Sequence, residues 1–229
     1  MEYSLICSWS CIIIFVWMVR VKYYWTLPPF KLCVLFILFG IGSTLPALLC
    51  NIFLSRETEF WVYSPNRFYS FMGFFVGAGM SEEFWKMSFG VILIFILLGR
   101  QKRIRETDCV IGFVSLGLAF AAVENFISYI HLEIHLLISR GLISVPLHAG
   151  MGMIHGLAVN RARNKKSVVP LLTGYFRATV LHTICDTWGL FISQSHTRLA
   201  MIFMSIVLMI WCINKWKKLP EVSELEYVR

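Results

Sequence analysis

RFYSFMGFFVGAGMSEEFWKMSFGVILIFILLG, residues 67–99, is the stretch on which the fold turns. It is long enough for one tilted membrane helix, since a bilayer core takes roughly 20 apolar residues. Yet Glu82, Glu83 and Lys86 stand in its middle, so it is either one span or two short segments. Six other apolar stretches flank it, at 4–19, 31–54, 109–130, 136–160, 167–193 and 197–215. If 67–99 is one span, alternate loops collect Arg20, Lys22 and Lys31, then Arg100, Lys102, Arg103 and Arg105, then Arg161, Arg163, Lys165 and Lys166, then Lys215, Lys217, Lys218 and Arg229. The opposite loops keep only Arg56, Arg67, Arg140 and Arg198. Fifteen positive residues against four is the bias of cytoplasmic loops. Splitting the stretch would flip every later loop and destroy it. The expectation is therefore an all-α polytopic bundle of about seven helices, N-terminus outside and C-terminus in the cytoplasm.

Composition leads to the same class. Of 229 residues, 58% are hydrophobic and 15% charged, with a mean hydropathy of +0.70. A soluble domain carries about 25% charged residues, so a soluble enzyme, a disordered chain and a secreted disulfide scaffold are excluded. The net charge of +8 lies in short runs between apolar stretches, which argues for topology and against a nucleic-acid partner. The 4–19 stretch reads as an anchor, because Arg20 and Lys22 follow it and Glu2 precedes it. Seven cysteines without a CxxC spacing read as small packing residues. The loops are too short for a second domain, so residues 1–229 read as one multi-pass cell-membrane domain with its motif-bearing core at 67–193.

An ionisable group inside a span costs several kcal/mol and marks a candidate site. Glu82, Glu83, Lys86, Glu124, His148, His155, Arg177, His182 and Asp186 are such groups. At 1.5 Å per residue, the two glutamates lie roughly 25 Å from the cytoplasmic end of their helix, Glu124 and His182 about 22 Å, and His148 about 18 Å. Four helices thus place polar groups in one layer, with Asp186 a turn further out. Each group shares a face with small residues (Gly79 and Gly90; Gly117 and Ala121; Ser144 and Gly152; Gly174 and Ala178), the kind that let membrane helices approach. The four faces should enclose one polar pocket. Lys86 could simply neutralise Glu82 at i+4, Arg177 is either a countercharge or an interface residue, and His155 reads as a packing histidine.

Two adjacent carboxylates, a third carboxylate and two histidines suit hydrolysis. A carboxylate can take a proton from water, and histidines can stabilise an oxyanion or hold a metal. GxSxG and HExxH are absent, and Cys185 is placed on a different face from His182. SEEFWKM with Glu82, Glu83 and Lys86, GLAFAAVENF with Phe120, Glu124 and Asn125, RGLISVPLHAGMGMIHG with Arg140, Pro146 and His148, and LHTICDTW with His182 and Asp186 together resemble the PrsW family of intramembrane proteases, related to the CAAX prenyl endopeptidases and bacteriocin-processing proteins. The resemblance covers residues 82–186; the outer helices carry no matching motif.

It implies cleavage of a single-pass membrane protein, such as an anti-sigma factor, at or just outside the bilayer. It makes Glu82, Glu83, Glu124, His148 and His182 the catalytic candidates, with Glu82 as the water-activating base and Lys86, Asn125 and Asp186 in support. Glu124 stands where the related superfamily has a histidine, and Asp186 where it often has an asparagine. Either Glu124 is held neutral, or a divalent metal such as zinc is present, with Glu82, Glu124, His148 and His182 as candidate ligands. A proton-coupled transporter or channel is the rival from another class, as intramembrane Glu, His and Asp also build proton relays. The expected repeated halves of a transporter are missing. A non-catalytic membrane binding protein is a third reading. A CAAX-type protease is disfavoured by Glu124 in place of histidine.

Overall fold

The structure is a computed structural model and describes residues 2–22, 27–100, 104–129, 134–191 and 194–219. Its described residues are almost wholly helical, without strands. The helices are α1 (Glu2–Lys22), α2 (Leu27–Val62), α3 (Arg67–Phe74), α4 (Ser81–Arg100), α5 (Glu106–Tyr129), α6 (Ile134–Lys165), α7 (Val169–Phe191) and α8 (Gln194–Lys217). Among the described residues, Lys31–Leu54 of α2 and Glu106–Ile127 of α5 are long and apolar enough to cross a membrane. Helix α5 meets this criterion although it carries Glu124, and the apolar part of α1, Trp9–Val19, is short.

Helix α5 is the central element. Most of its apolar segment is buried (78%, against 33% for α2), and it packs on α1, α2, α4 and α6. Its glycines set how close the neighbours come. A Cβ on Gly117 would meet the backbone carbonyl of His148, and one on Gly152 of α6 would meet that of Phe113. The α5–α6 seam is thus backbone against backbone, the close approach that small residues permit between membrane helices. Apolar packing fills the rest: Val110, Val114 and Ala122 against Val145 and Met153 on one side, Phe113 and Leu116 against Phe36 on the other.

The 67–99 stretch is one helical run with a flaw in it. Between α3 and α4, Phe75–Met80 forms a π-helical turn that ends beside Glu82. Such wider turns free backbone carbonyls and often sit at functional sites. Here side chains occupy the carbonyls: the Tyr175 hydroxyl donates to Met80 O at 2.9 Å, and Ser81 Oγ reaches Gly77 O at 2.7 Å. Helix α3 starts at Asn66, whose side chain accepts from the Phe68 amide at 2.9 Å, an ordinary N-cap. A tight turn reverses the chain from α6 into α7. Lys166 adopts φ 49° there, and the Ser167 amide bonds back to Ala162 O, closing the helix end as left-handed C-caps do. Helices α6 and α7 therefore run antiparallel, which sets His148 against His182 and brings His155 and His182 to the two oxygens of Glu83.

Candidate active site

Glu83 is the best-held group in the molecule. It is fully buried, and Lys86 Nζ lies 2.5 Å from its Oε1. The His182 Nδ1–H faces the same oxygen at 2.7 Å, and His155 Nε2 meets Oε2 at 2.8 Å. A buried carboxylate is tolerable only when its charge is paired and its lone pairs are used, and three partners from α4, α6 and α7 do both.

Glu82, one residue earlier, is treated differently. Asn51 of α2 donates from Nδ2 to its Oε1 at 3.2 Å, and Ser81 Oγ in turn lies within hydrogen-bonding reach of Asn51 Oδ1. Glu82 Oε2 is 3.8 Å from Lys86 Nζ and 3.6 Å from His182 Nε2. It is buried without a hydrogen-bond partner. Lys86 thus serves both carboxylates: the i,i+4 pair with Glu82 expected from the sequence stands at 3.8 Å, and a closer i,i+3 pair with Glu83 stands beside it. The two neighbours differ because about 100° of rotation turns one into the helix interface and the other toward the polar layer.

His148 of α6 is fixed on three sides. Its Nε2 lies 3.1 Å from Glu124 Oε2, and its ring stacks on Phe120 at 5.7 Å. Its Nδ1 is 3.1 Å from Lys86 Nζ. An ammonium only donates, so Nδ1 accepts and the network assigns the ring proton to Nε2, facing Glu124. Lys86 also sits 4.4 Å over the Phe120 ring. His182 contacts His148 edge-on at 5.5 Å, and its Nε2 reaches Asp186 Oδ2 at 3.3 Å, so carboxylates hold both ends of that ring. A cavity of about 80 Å³ opens beside these groups, lined by Glu124, Ser144, His148, His182, Cys185 and Asp186 among others.

The four helix faces read from the sequence do converge. Arg177 is exposed and is no countercharge to the cluster. Asp186 is exposed to 36% and lines the cavity at its mouth. Cys185 also departs from expectation: it lines the cavity with His182, because residues three apart lie only about 60° around a helix. Asn125 is buried on α5. The side chain of Arg140 lies outside the described residues. Sequence reading missed Asn51, a lone amide in the apolar run of α2 and outside the 67–193 core. It also set aside His155, whose one signal was its position two turns along the His148 face.

Residues 28–212 match the sequence profile described as PrsW family intramembrane metalloprotease. The chain belongs to the PrsW family. The match takes in Asn51 and every residue of the cluster just described. Protease PrsW of Halalkalibacterium halodurans is 31% identical to the chain over 145 residues, 62% of this chain and 66% of that protein. No solved structure matches.

The family description raises the question of a metal. Glu82, Glu124 and His148 each offer a ligand atom, and these atoms lie within 4.8 Å of one another. With the unspent Oε2 of Glu82, two carboxylates and an imidazole form a donor set suited to a divalent ion such as zinc. The residues fit the group. His182 is not in that set; its nitrogens face Glu83 and Asp186.

Proposed function

We propose that this PrsW-family chain is a multi-pass intramembrane endopeptidase that hydrolyses a peptide bond of a membrane-protein substrate near the extracytoplasmic face. A single-pass protein such as an anti-sigma factor fits that description. The observation that carries the reading is Glu82 Oε2, a buried carboxylate oxygen without a hydrogen-bond partner in a layer shared by Glu124, His148 and His182. Burying an unsatisfied polar atom is costly, and a reacting water at that oxygen would supply the missing bond.

Glu82 takes a proton from the water as the water oxygen attacks the carbonyl carbon. It then returns the proton to the leaving nitrogen as the C–N bond breaks, the usual exchange of base and acid roles. Asn51 orients Glu82 from α2, leaving Oε2 as the working oxygen. Glu83 positions Lys86, His155 and His182 and stays out of the chemistry. His182, steadied by Asp186, faces Glu82 Oε2 and keeps that carboxylate in place. Glu82, Glu124 and His148 would hold a divalent metal, which when bound would polarise a carbonyl and acidify water; the free Oε2 of Glu82 and the Nε2 proton of His148 belong to the metal-free site. Seven spans, with the N-terminus outside, put residues 1–229 into the bilayer as one domain.

The experiment is membrane-proteome terminus mapping, wild type against Glu82→Gln at matched expression. New termini beside a transmembrane segment, present only with the wild type, are expected. Cleavage by the variant at the wild-type rate would overturn the assignment of the base. No difference under several envelope stresses would turn attention to solute or proton flux.

A further inference from the structure

Among the residues lining the cavity, one hydroxyl departs from the usual helical pattern. Serine and threonine inside a helix normally spend their hydroxyl on a carbonyl one turn back. Ser115 does so with Ile111 O at 2.8 Å, Thr183 with Thr179 O at 2.8 Å, and Thr187 with Thr183 O at 2.7 Å. Ser144 of α6 does not. It is 8% exposed, its Oγ has no hydrogen-bond partner, and it lines the cavity with Glu124, His148 and His182. Thr107 and Thr179 also hold unspent hydroxyls, but neither lines that cavity.

The place of this hydroxyl matches a gap in the chemistry. Ser144 sits one turn before His148 on the same face, so it lies about 6 Å further along α6. The cavity between them is several times the ~15 Å³ that one water needs. Glu124 and Asp186 are acceptors when ionised, the Nε2 proton of His148 faces Glu124, and both nitrogens of His182 face carboxylates. Hydrolysis of a peptide bond needs a donor to the carbonyl oxygen as negative charge grows on it. Among the described lining residues, Ser144 is the one whose O–H is uncommitted.

We infer that Ser144 is a catalytic residue whose hydroxyl donates a hydrogen bond to the scissile carbonyl oxygen of the substrate. No bond to Ser144 forms or breaks; its proton stays on Oγ throughout. The inference rests on the protease reading above and adds to it the donor that the carboxylate-rich cluster lacks.

The test uses the full chain in proteoliposomes and a fluorogenic single-span peptide carrying the site that the wild type cuts. Ser144→Ala is expected to lower kcat by about 10²-fold, the usual cost of one oxyanion donor, with KM nearly unchanged. Ser144→Thr, which keeps the hydroxyl, is expected to stay within a few-fold of wild type. The apparent Tm of Ser144→Ala should equal or exceed that of wild type, because no internal bond is lost. Wild-type kcat in Ser144→Ala, an equal loss in the Thr variant, or a lowered Tm in the Ala variant would each overturn the inference alone. A folded, inserted wild type that cuts nothing would remove the protease reading and this inference with it.

Discussion

Glu82 and Glu83 show how much two identical neighbours can differ inside a membrane protein. Glu83 has a lysine and two histidines around it, while Glu82 has an amide on one oxygen and nothing hydrogen-bonded to the other. The energetic consequences are opposite. Removing the charge of Glu83 leaves Lys86 buried without its main partner, and breaking a buried pair costs about 3–5 kcal/mol. Removing the charge of Glu82 relieves an unsatisfied oxygen and should cost little. Glu83→Gln is therefore expected to lower the apparent Tm in detergent by roughly 10 °C, using about 2–4 °C per kcal/mol for a chain of this size. Glu82→Gln should stay within about 2 °C. Thermal unfolding of the two variants side by side checks this, and an equal loss in both would contradict the division of roles. The sequence could not separate the pair. Their difference comes from Asn51, His155 and His182, which lie 31, 72 and 99 residues away.

At the scale of elements, the site depends on how closely α5 and α6 approach. Glu124 sits on one and His148 on the other, and the pair survives at 3.1 Å only while the seam stays glycine-lined. A Cβ at Gly152 would meet Phe113 O, Phe113 C and Val114 Cα, all backbone, so the helices themselves must move apart. Gly77, in the π-helical turn, has only the Thr58 hydroxyl nearby at 3.4 Å, an ordinary contact. Gly152→Ala is expected to lower both apparent Tm and cleavage, whereas Gly77→Ala should change neither by much. A tolerant Gly152 would mean the seam is looser than drawn. These small residues were legible in the sequence as helix faces, because period alone puts Gly152 between His148 and His155 on one stripe. The π-helical turn was not, since side-chain period carries no mark of one wider turn. His155 was likewise unreadable as a site residue, for a single imidazole in an apolar run gives no sign of a carboxylate on a helix far back in the chain.

The whole molecule has a polarity that joins the cavity to the membrane. Ser144 precedes His148 on α6 and Asp186 follows His182 on α7. The two helices are antiparallel, so both outer residues lie toward the same end of the bundle. Arg161, Arg163, Lys165 and Lys166 crowd the other end, around the α6–α7 turn. Positive loops mark the cytoplasmic side, so the cavity with its exposed Asp186 mouth should open toward the outside. A water-filled opening on that side would admit a substrate at the outer edge of its span and keep the buried Lys86–Glu83 pair behind it, away from lipid and water. Two measurements bear on this orientation. Reporters fused to the termini should place the N-terminus outside and the C-terminus in the cytoplasm. The new terminus of a cleaved substrate should map to its extracytoplasmic half. Reversed reporters, or a terminus in the cytoplasmic half, would mean that the basic end faces the substrate, and that the charge bias does not set the direction of cutting.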